Sequence, residues 1–194
     1  MQNNVGIYAS QISGHLYGGP YGAYDSLATV TLSASASSIT FAGIPSGYKH
    51  LQIRTLIRTN RADANDSAYI TINGDTSANY ATHRLSGTGA AAGSFGYTAQ
   101  VPSSGTSWIA LATGGNATSN VFASSIIDVL DYGNSAKYKT LRSLSGNEDN
   151  SGTDNSRIWL MSNLWMNTSP ITSITLTATG SFVQYSQFAL YGVK

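Results

Sequence analysis

At 194 residues the chain suits one domain, or one domain with an arm. A chain of this length buries about two thirds of its unfolded surface and needs no disulfide or metal to fold. It has no cysteine, which excludes thiol catalysis, zinc-thiolate centres and disulfide staples. Ten basic residues face nine acidic ones for a net charge of +1, and only 10% of residues are charged, against about 25% in an ordinary domain. Nucleic acid and anionic membrane are therefore not expected partners, because each calls for a basic patch.

The opening "MQNNVGIYASQISG" has no basic start followed by an apolar run, so it does not read as a secretory signal. No apolar stretch approaches the length of a membrane span; the longest, "IIDVL", contains an aspartate. A soluble protein is expected, made without export or released by lysis. Residues 1–26 form the first unit. "GHLYGGPYGAYDS" is rich in glycine and tyrosine and has no period. Glycine and proline oppose regular structure, while a tyrosine buries its ring and still hydrogen-bonds at its tip. The expectation is an extended N-terminal arm that contacts a neighbouring subunit through Tyr8, His15, Tyr17, Tyr21 and Tyr24, with a disordered tail as the plainer alternative.

From residue 27 onward the period is two. "LATVTL" sets Ala28, Val30 and Leu32 on one face, and "SSITFAGI" pairs Ile39 with Phe41. In "YKHLQIRTLIRTN", Leu51, Ile53, Thr55 and Ile57 alternate with Gln52, Arg54, Leu56 and Arg58. "SAYITIN" turns Ala68, Ile70 and Ile72 inward. "SGTGAAAGSFGYTAQVPSSGTS" reads as a glycine-rich surface loop, and "WIALAT" as a short strand. "NVFASSIIDVLDY" is nearly continuous in apolar residues, so a central strand covered on both faces is expected. "AKYKTLRSLSG", "SRIWLMSNLWM", "ITSITLTATG" and "SFVQYSQFALYGV" complete about ten strands with no helix. Residues 27–194 are thus expected to form an all-β, two-sheet antiparallel sandwich of jelly-roll type.

The stretch "YITINGDTSANYATHRLSG" gathers Asp75, His83 and Arg84 in a short span. Asn73-Gly74 is a strong turn signal, because both residues accept positive φ at little cost, and Asp75 and Thr76 suit bonds to turn N–H groups. His83 and Arg84 are adjacent, so on a strand they point to opposite faces and cannot act on one atom. Turn chemistry is therefore a sufficient cause for the cluster. Together with "FAGIPSGYKHLQIRTLIRTNRA" and the terminal "SQFALYGVK", this stretch resembles segments of small virion proteins of tailed bacteriophages. The likeness covers most of residues 38–87 and the last strand, and its motifs are structural. It implies an all-β virion component: a capsid decoration (cement) protein, or a tail or fibre-tip module. It brings no catalytic residues.

Other constellations are weaker. Asn147, Asp149, Ser151 and Gly152 share the first oxygen positions of an EF-hand loop, but Ile158 stands where the bidentate glutamate belongs, and a solvated hairpin loop explains them. Asp128 and Asp131, three apart, would face opposite sides of a sheet rather than one cleft. "SGTGAAAGSFG" lacks the Gly-Lys-Ser/Thr ending of a phosphate loop. Trp108, Trp159 and Trp165 are core candidates first and glycan-stacking candidates second; Trp159 and Trp165 share a face of a regular strand. Arg54, Arg58 and Arg61 make a small basic edge, either solvated or set against an acidic capsid surface.

The expected function is a non-enzymatic virion structural protein with no cofactor. It would be a closed homo-oligomer, a trimer by analogy with other virion jelly rolls, docking on major capsid protein or other virion subunits through its arm and loops. A low-charge surface suits permanent contacts, since few ions need desolvation. The alternative is a tail-tip module that binds a host-surface glycan.

Overall fold

The computed structural model describes residues 22–102, 107–151 and 155–194. Of the arm residues, Tyr8, His15, Tyr17 and Tyr21 lie outside the described residues. Twelve strands form among those described: β1 (Tyr24–Thr31), β2 (Ala36–Ala42), β3 (His50–Ile57), β4 (Asn65–Ile72), β5 (Tyr80–Gly87), β6 (Ala92–Gln100), β7 (Trp108–Thr113), β8 (Ala123–Val129), β9 (Lys139–Asn147), β10 (Arg157–Trp165), β11 (Ser173–Phe182) and β12 (Gln187–Val193). They make two antiparallel sheets. One has eight strands in the order β1-β12-β3-β8-β9-β10-β5-β6, and the other has four in the order β2-β11-β4-β7. β1 starts at Tyr24, so the strand takes in the last three residues assigned to the arm.

The core fills the space between the sheets. Leu51, Ile53 and Ile57 of β3, with Ile127, Val129, Phe188 and Leu190, meet Ile39, Phe41, Ile70, Ile72, Ile174 and Leu176 of the smaller sheet. The two-residue alternation expected for β2, β3 and β4 produces this packing directly. In β1 a bulge between Ser26 and Ala28 brings Leu27 onto the inner face beside Ala28 and Val30.

Two expectations need correction. The glycine-rich segment 86–107 is not one surface loop: Ala92–Gln100 is strand β6, paired antiparallel with β5. β6 is an edge strand beyond the smaller sheet, with both faces largely exposed, so burial imposes no apolar alternation on it. Its glycines allow close approach; a Cβ on Gly96 would lie 2.7 Å from the His83 ring. The second correction concerns β8. It is central, between β3 and β9, but only one of its faces is covered, and Ile126 is 46% exposed on the other.

Candidate functional site

The hairpin after β4 is built by turn chemistry. Asn73 (φ 51°) and Gly74 (φ 69°) take the positive-φ turn that their sequence demands. Asn73 also reaches across the fold: its Oδ1 accepts from the N–H groups of Thr172 and Ser173 at 2.8 and 3.0 Å, and its Nδ2 donates to Pro170 O. Asp75 is the centre of the turn. Its Oδ1 accepts from Ser77 N–H at 2.9 Å, and its Oδ2 from Asn79 Nδ2 at 2.9 Å and from the indole Nε1 of buried Trp165 at 2.8 Å. Burial pushes the Asp75 carboxyl up, but these donors outweigh it and hold the pKa below the ordinary value. The neighbouring Tyr80 hydroxyl donates to Asp75 O and accepts from Ile72 N–H, and burial pushes its pKa up to about 12. Asp75 is thus fully engaged in holding a turn against a core tryptophan.

His83 and Arg84 do face opposite sides of β5. His83 lies on the outer face of the larger sheet, opposite Gly96. Arg84 points inward, where its guanidinium carbon lies 4.2 Å from the Trp159 ring centroid, 4.4 Å from that of Trp108 and 4.5 Å from that of Phe95. Tyr97 closes edge-on against Trp108 at 5.4 Å. The Arg84 Nε is buried without a hydrogen-bond partner. Burial, and then the charge of Arg157, lower its pKa. Sequence reasoning singled out Trp108 and Trp159 but not this cluster, which draws on β5, β6, β7 and β10.

The outer face of the eight-stranded sheet carries the other notable feature. Strand register places Ile126, Leu144, Leu160 and Leu85 abreast on β8, β9, β10 and β5. They are 46%, 54%, 53% and 56% exposed. Ile158 and Leu56 extend the patch at 63% and 46%. Six half-exposed aliphatic side chains present an apolar area of about 500 Å², toward the upper end of what a lone monomer exposes. A shallow depression of about 620 Å³ opens beside Leu85 and Leu160 and is bordered by His83 and Arg142. A polar line runs alongside the patch: Arg54 Nε donates to Gln52 Oε1, and Gln52 Nε2 and Arg142 Nε both donate to Asp128, each at 2.9 Å. No feature of one strand announced this row, because its four members come from four separate segments.

The arginines expected to form one basic edge are dispersed. Arg54 stays on the outer face, its guanidinium over the rings of Tyr191 and Tyr24 at 4.7 and 5.2 Å, with the two rings edge to face. Arg58 leaves the strand. Its guanidinium donates to the carbonyls of Thr118, Val121, Gly115 and Ala117 at 2.6 to 3.2 Å, so it holds the 115–121 loop. Arg61 pairs with Asp63 and with fully buried Asp66.

The tryptophans are also spent on packing. Trp165 and Trp159 share the inner face of β10, as their spacing requires, at 1% and 3% exposure, which leaves no ring face for a sugar. Trp108 is partly exposed, with Arg84 and Tyr97 against it.

The remaining acids among the described residues have structural bonds. Asp66 accepts from Thr59 Oγ1, Ser67 N–H and Gly180 N–H. Asp131 lies in the turn after β8 with φ 47°, not on the strand, and pairs with Lys137. Asp149 accepts from the N–H and hydroxyl of Ser151. Among the described residues no three His, Cys, Asp or Glu side chains come together as a metal site would need. Comparison with protein-family models, with curated proteins and with solved structures found no match.

Proposed function

We propose that the protein is a non-enzymatic structural component of a tailed-phage virion, a decoration (cement) protein that docks on neighbouring capsid subunits. The observation that carries this reading is the row Ile126, Leu144, Leu160 and Leu85. A flat apolar sheet face of this size is stable in water only at a cost that burial against another subunit removes. The polar line from Arg54 to Arg142 along its margin supplies the hydrogen-bonding rim of such an interface. The uncharged, tyrosine-rich sequence of residues 1–21 suits a second point of attachment.

We read the two-sheet fold as a jelly roll, which suits the same proposal. Among the described strands the chain switches sheets at every connection except β5–β6, β8–β9 and β9–β10. The smaller sheet interleaves early and late strands as β2-β11-β4-β7, as coiled Greek keys do. The β9–β10 hairpin then widens one sheet. Closed trimers are the assembly we expect.

Docking is tested with shells that lack the protein. Wild-type protein should co-sediment with them, while Leu144→Asp should bind at least about tenfold more weakly with its unfolding midpoint unchanged, because the substituted side chain is already half in water. Equal binding by the two proteins would overturn the assignment of this face.

A second reading, a tail-tip module that binds host-surface carbohydrate, is favoured by one observation: Phe95, Tyr97 and Trp108 cluster with Arg84 at the open end of the sandwich.

A further inference from the structure

The smaller sheet ends at β7, which packs on β8, β9 and the margin of β10. β6 and the far half of β5 project beyond it. On the inner face of this overhang stand two arginines with unusual surroundings. Arg84 has aromatic rings on three sides and a buried Nε without a partner. Arg157, at the start of β10, likewise has a buried Nε without a partner, as does the Trp159 indole nitrogen between them in the fold. Among the described residues none of the ion pairs includes either arginine. The acids nearest in sequence to Arg157 among the described residues are Asp149 and Glu148. Asp149 accepts from Ser151 N–H and Oγ, and Glu148 is held by Ser156 Oγ at 2.6 Å and Asn150 N–H at 3.0 Å.

Two cations placed together, one of them partly desolvated, are mutually repulsive. The rings offset part of that cost for Arg84, and no acid among the described residues pairs with either guanidinium. A bound anion removes the remainder. A guanidinium whose orientation is fixed by ring stacking meets a planar carboxylate with little further loss of freedom. Two guanidinium groups without a nest of backbone amides match a monoanion better than a phosphate dianion. The surroundings define the rest of the ligand. Phe95 is 46% exposed beside Arg84, and both line the depression of about 620 Å³, while Arg157 borders a second depression of about 860 Å³. An apolar wall next to a fixed charge suits a ring that has a C–H face and an acid group.

We propose that Arg84, with Phe95, Tyr97 and Trp108 around it, and Arg157 bind an acidic sugar, a pyranose carrying a carboxylate. This rests on the carbohydrate-binding reading above and names its ligand class. It does not depend on the apolar row, which lies on the opposite face of the sheet.

The test is a tryptophan-fluorescence titration of the full chain, since Trp108 and Trp159 contact Arg84. The probes are an oligomer of hexuronic acid and a neutral glucose oligomer of equal length. The uronate should change the emission saturably and the neutral oligomer should bind about tenfold or more weakly. Arg84→Lys keeps the charge but loses the planar fork, and should lose affinity by a similar factor. If Arg84→Lys fails to fold, Arg157→Gln, which leaves the ring cage intact, should weaken uronate binding and leave any neutral-sugar binding unchanged. Equal binding of both oligomers would overturn the acidic-sugar assignment while the carbohydrate reading stands. Binding of neither overturns both. A glutamate-rich peptide that competes where the uronate does not would replace sugar with a protein partner and overturn the proposal.

Discussion

If Asp75 is a turn-holding residue, replacing it should cost stability; if it were an active-site acid, replacement would leave stability unchanged or raise it. Asp75→Asn separates the two. The carboxylate serves three donors: Ser77 N–H on one oxygen, Asn79 Nδ2 and Trp165 Nε1 on the other. An asparagine amide has one oxygen, so whichever way it turns, an NH₂ group confronts a donor. The bond most at stake is that of the Trp165 indole, on a residue 1% exposed, which loses its charge assistance even when the amide oxygen turns to it and leaves the NH₂ against Ser77 N–H. Losing a charge-assisted bond and leaving a buried donor unpaired costs about 2 to 3 kcal/mol. For a chain of this length that lowers the melting temperature by roughly 5 to 10 °C. The assay is urea unfolding at pH 7 followed by tryptophan fluorescence, with Trp165→Phe and the double variant completing a cycle. Trp165→Phe removes the stranded donor, so Asp75→Asn should cost about 1 kcal/mol less in that background. The pH dependence gives an independent check. The folded carboxyl has a pKa below its unfolded value of 3.8. The folded state therefore binds fewer protons, and the stabilisation is complete above the unfolded pKa and is lost as pH falls through the folded one. Asp75→Asn should flatten that part of the stability curve. A variant within about 0.5 kcal/mol of wild type, or a double variant showing no coupling, would refute the turn-holding account.

Further outcomes follow from the same geometry. Tyr80, pushed up to about 12 by burial, should be the late-ionising tyrosine in an absorbance titration near 295 nm, and Tyr80→Phe should remove that late step. Because its folded pKa exceeds the unfolded value near 10, its stabilisation is complete below that value and disappears as pH rises through the folded pKa; titration of every tyrosine near 10 would count against it. Arg58→Lys cannot span the four carbonyls that the guanidinium holds. It should cost about 2 kcal/mol and speed amide exchange across residues 114–121. Unchanged exchange there would show that the loop holds itself.

What was legible in the chain was whatever one strand and one buried face determine together. Leu51, Ile53, Thr55 and Ile57 alternate because β3 has the core on one side, and all four are only 0 to 4% exposed. Asn73-Gly74 was legible because positive φ is a property of two neighbouring residues. β6 was not, because a strand that projects past the opposing sheet has no burial pattern to display. Arg58 was placed on a solvent face by continuing the alternation of β3 one residue too far. The strand ends at Ile57, and the chain bends into bridges at Arg58 and Thr59. The missed signal lies elsewhere, in "GGNATSN" at 114–120. That run offers no cationic donor of its own for its carbonyls, and so requires one from a distant residue.

The apolar row and the Arg84 cluster were illegible for a further reason. Leu85, Ile126, Leu144 and Leu160 each sit at polar-face positions of their own strands, where a single exposed aliphatic needs no explanation. Only register makes them a row. Arg84 on β5 is ordinary until β6, β7 and β10 bring rings to it. In both cases the informative quantity is a coincidence across strands, and the order of the sheet sets it. Because β10 lies between β9 and β5, one strand carries Leu160 outward into the apolar row and, one residue earlier, Trp159 inward against Arg84. The two faces are therefore fixed by one register. A slip of one residue in β10 would exchange Leu160 and Trp159 between the faces and abolish both arrangements at once, which makes the pairing of β10 with β9 and β5 the structural condition for either proposed role.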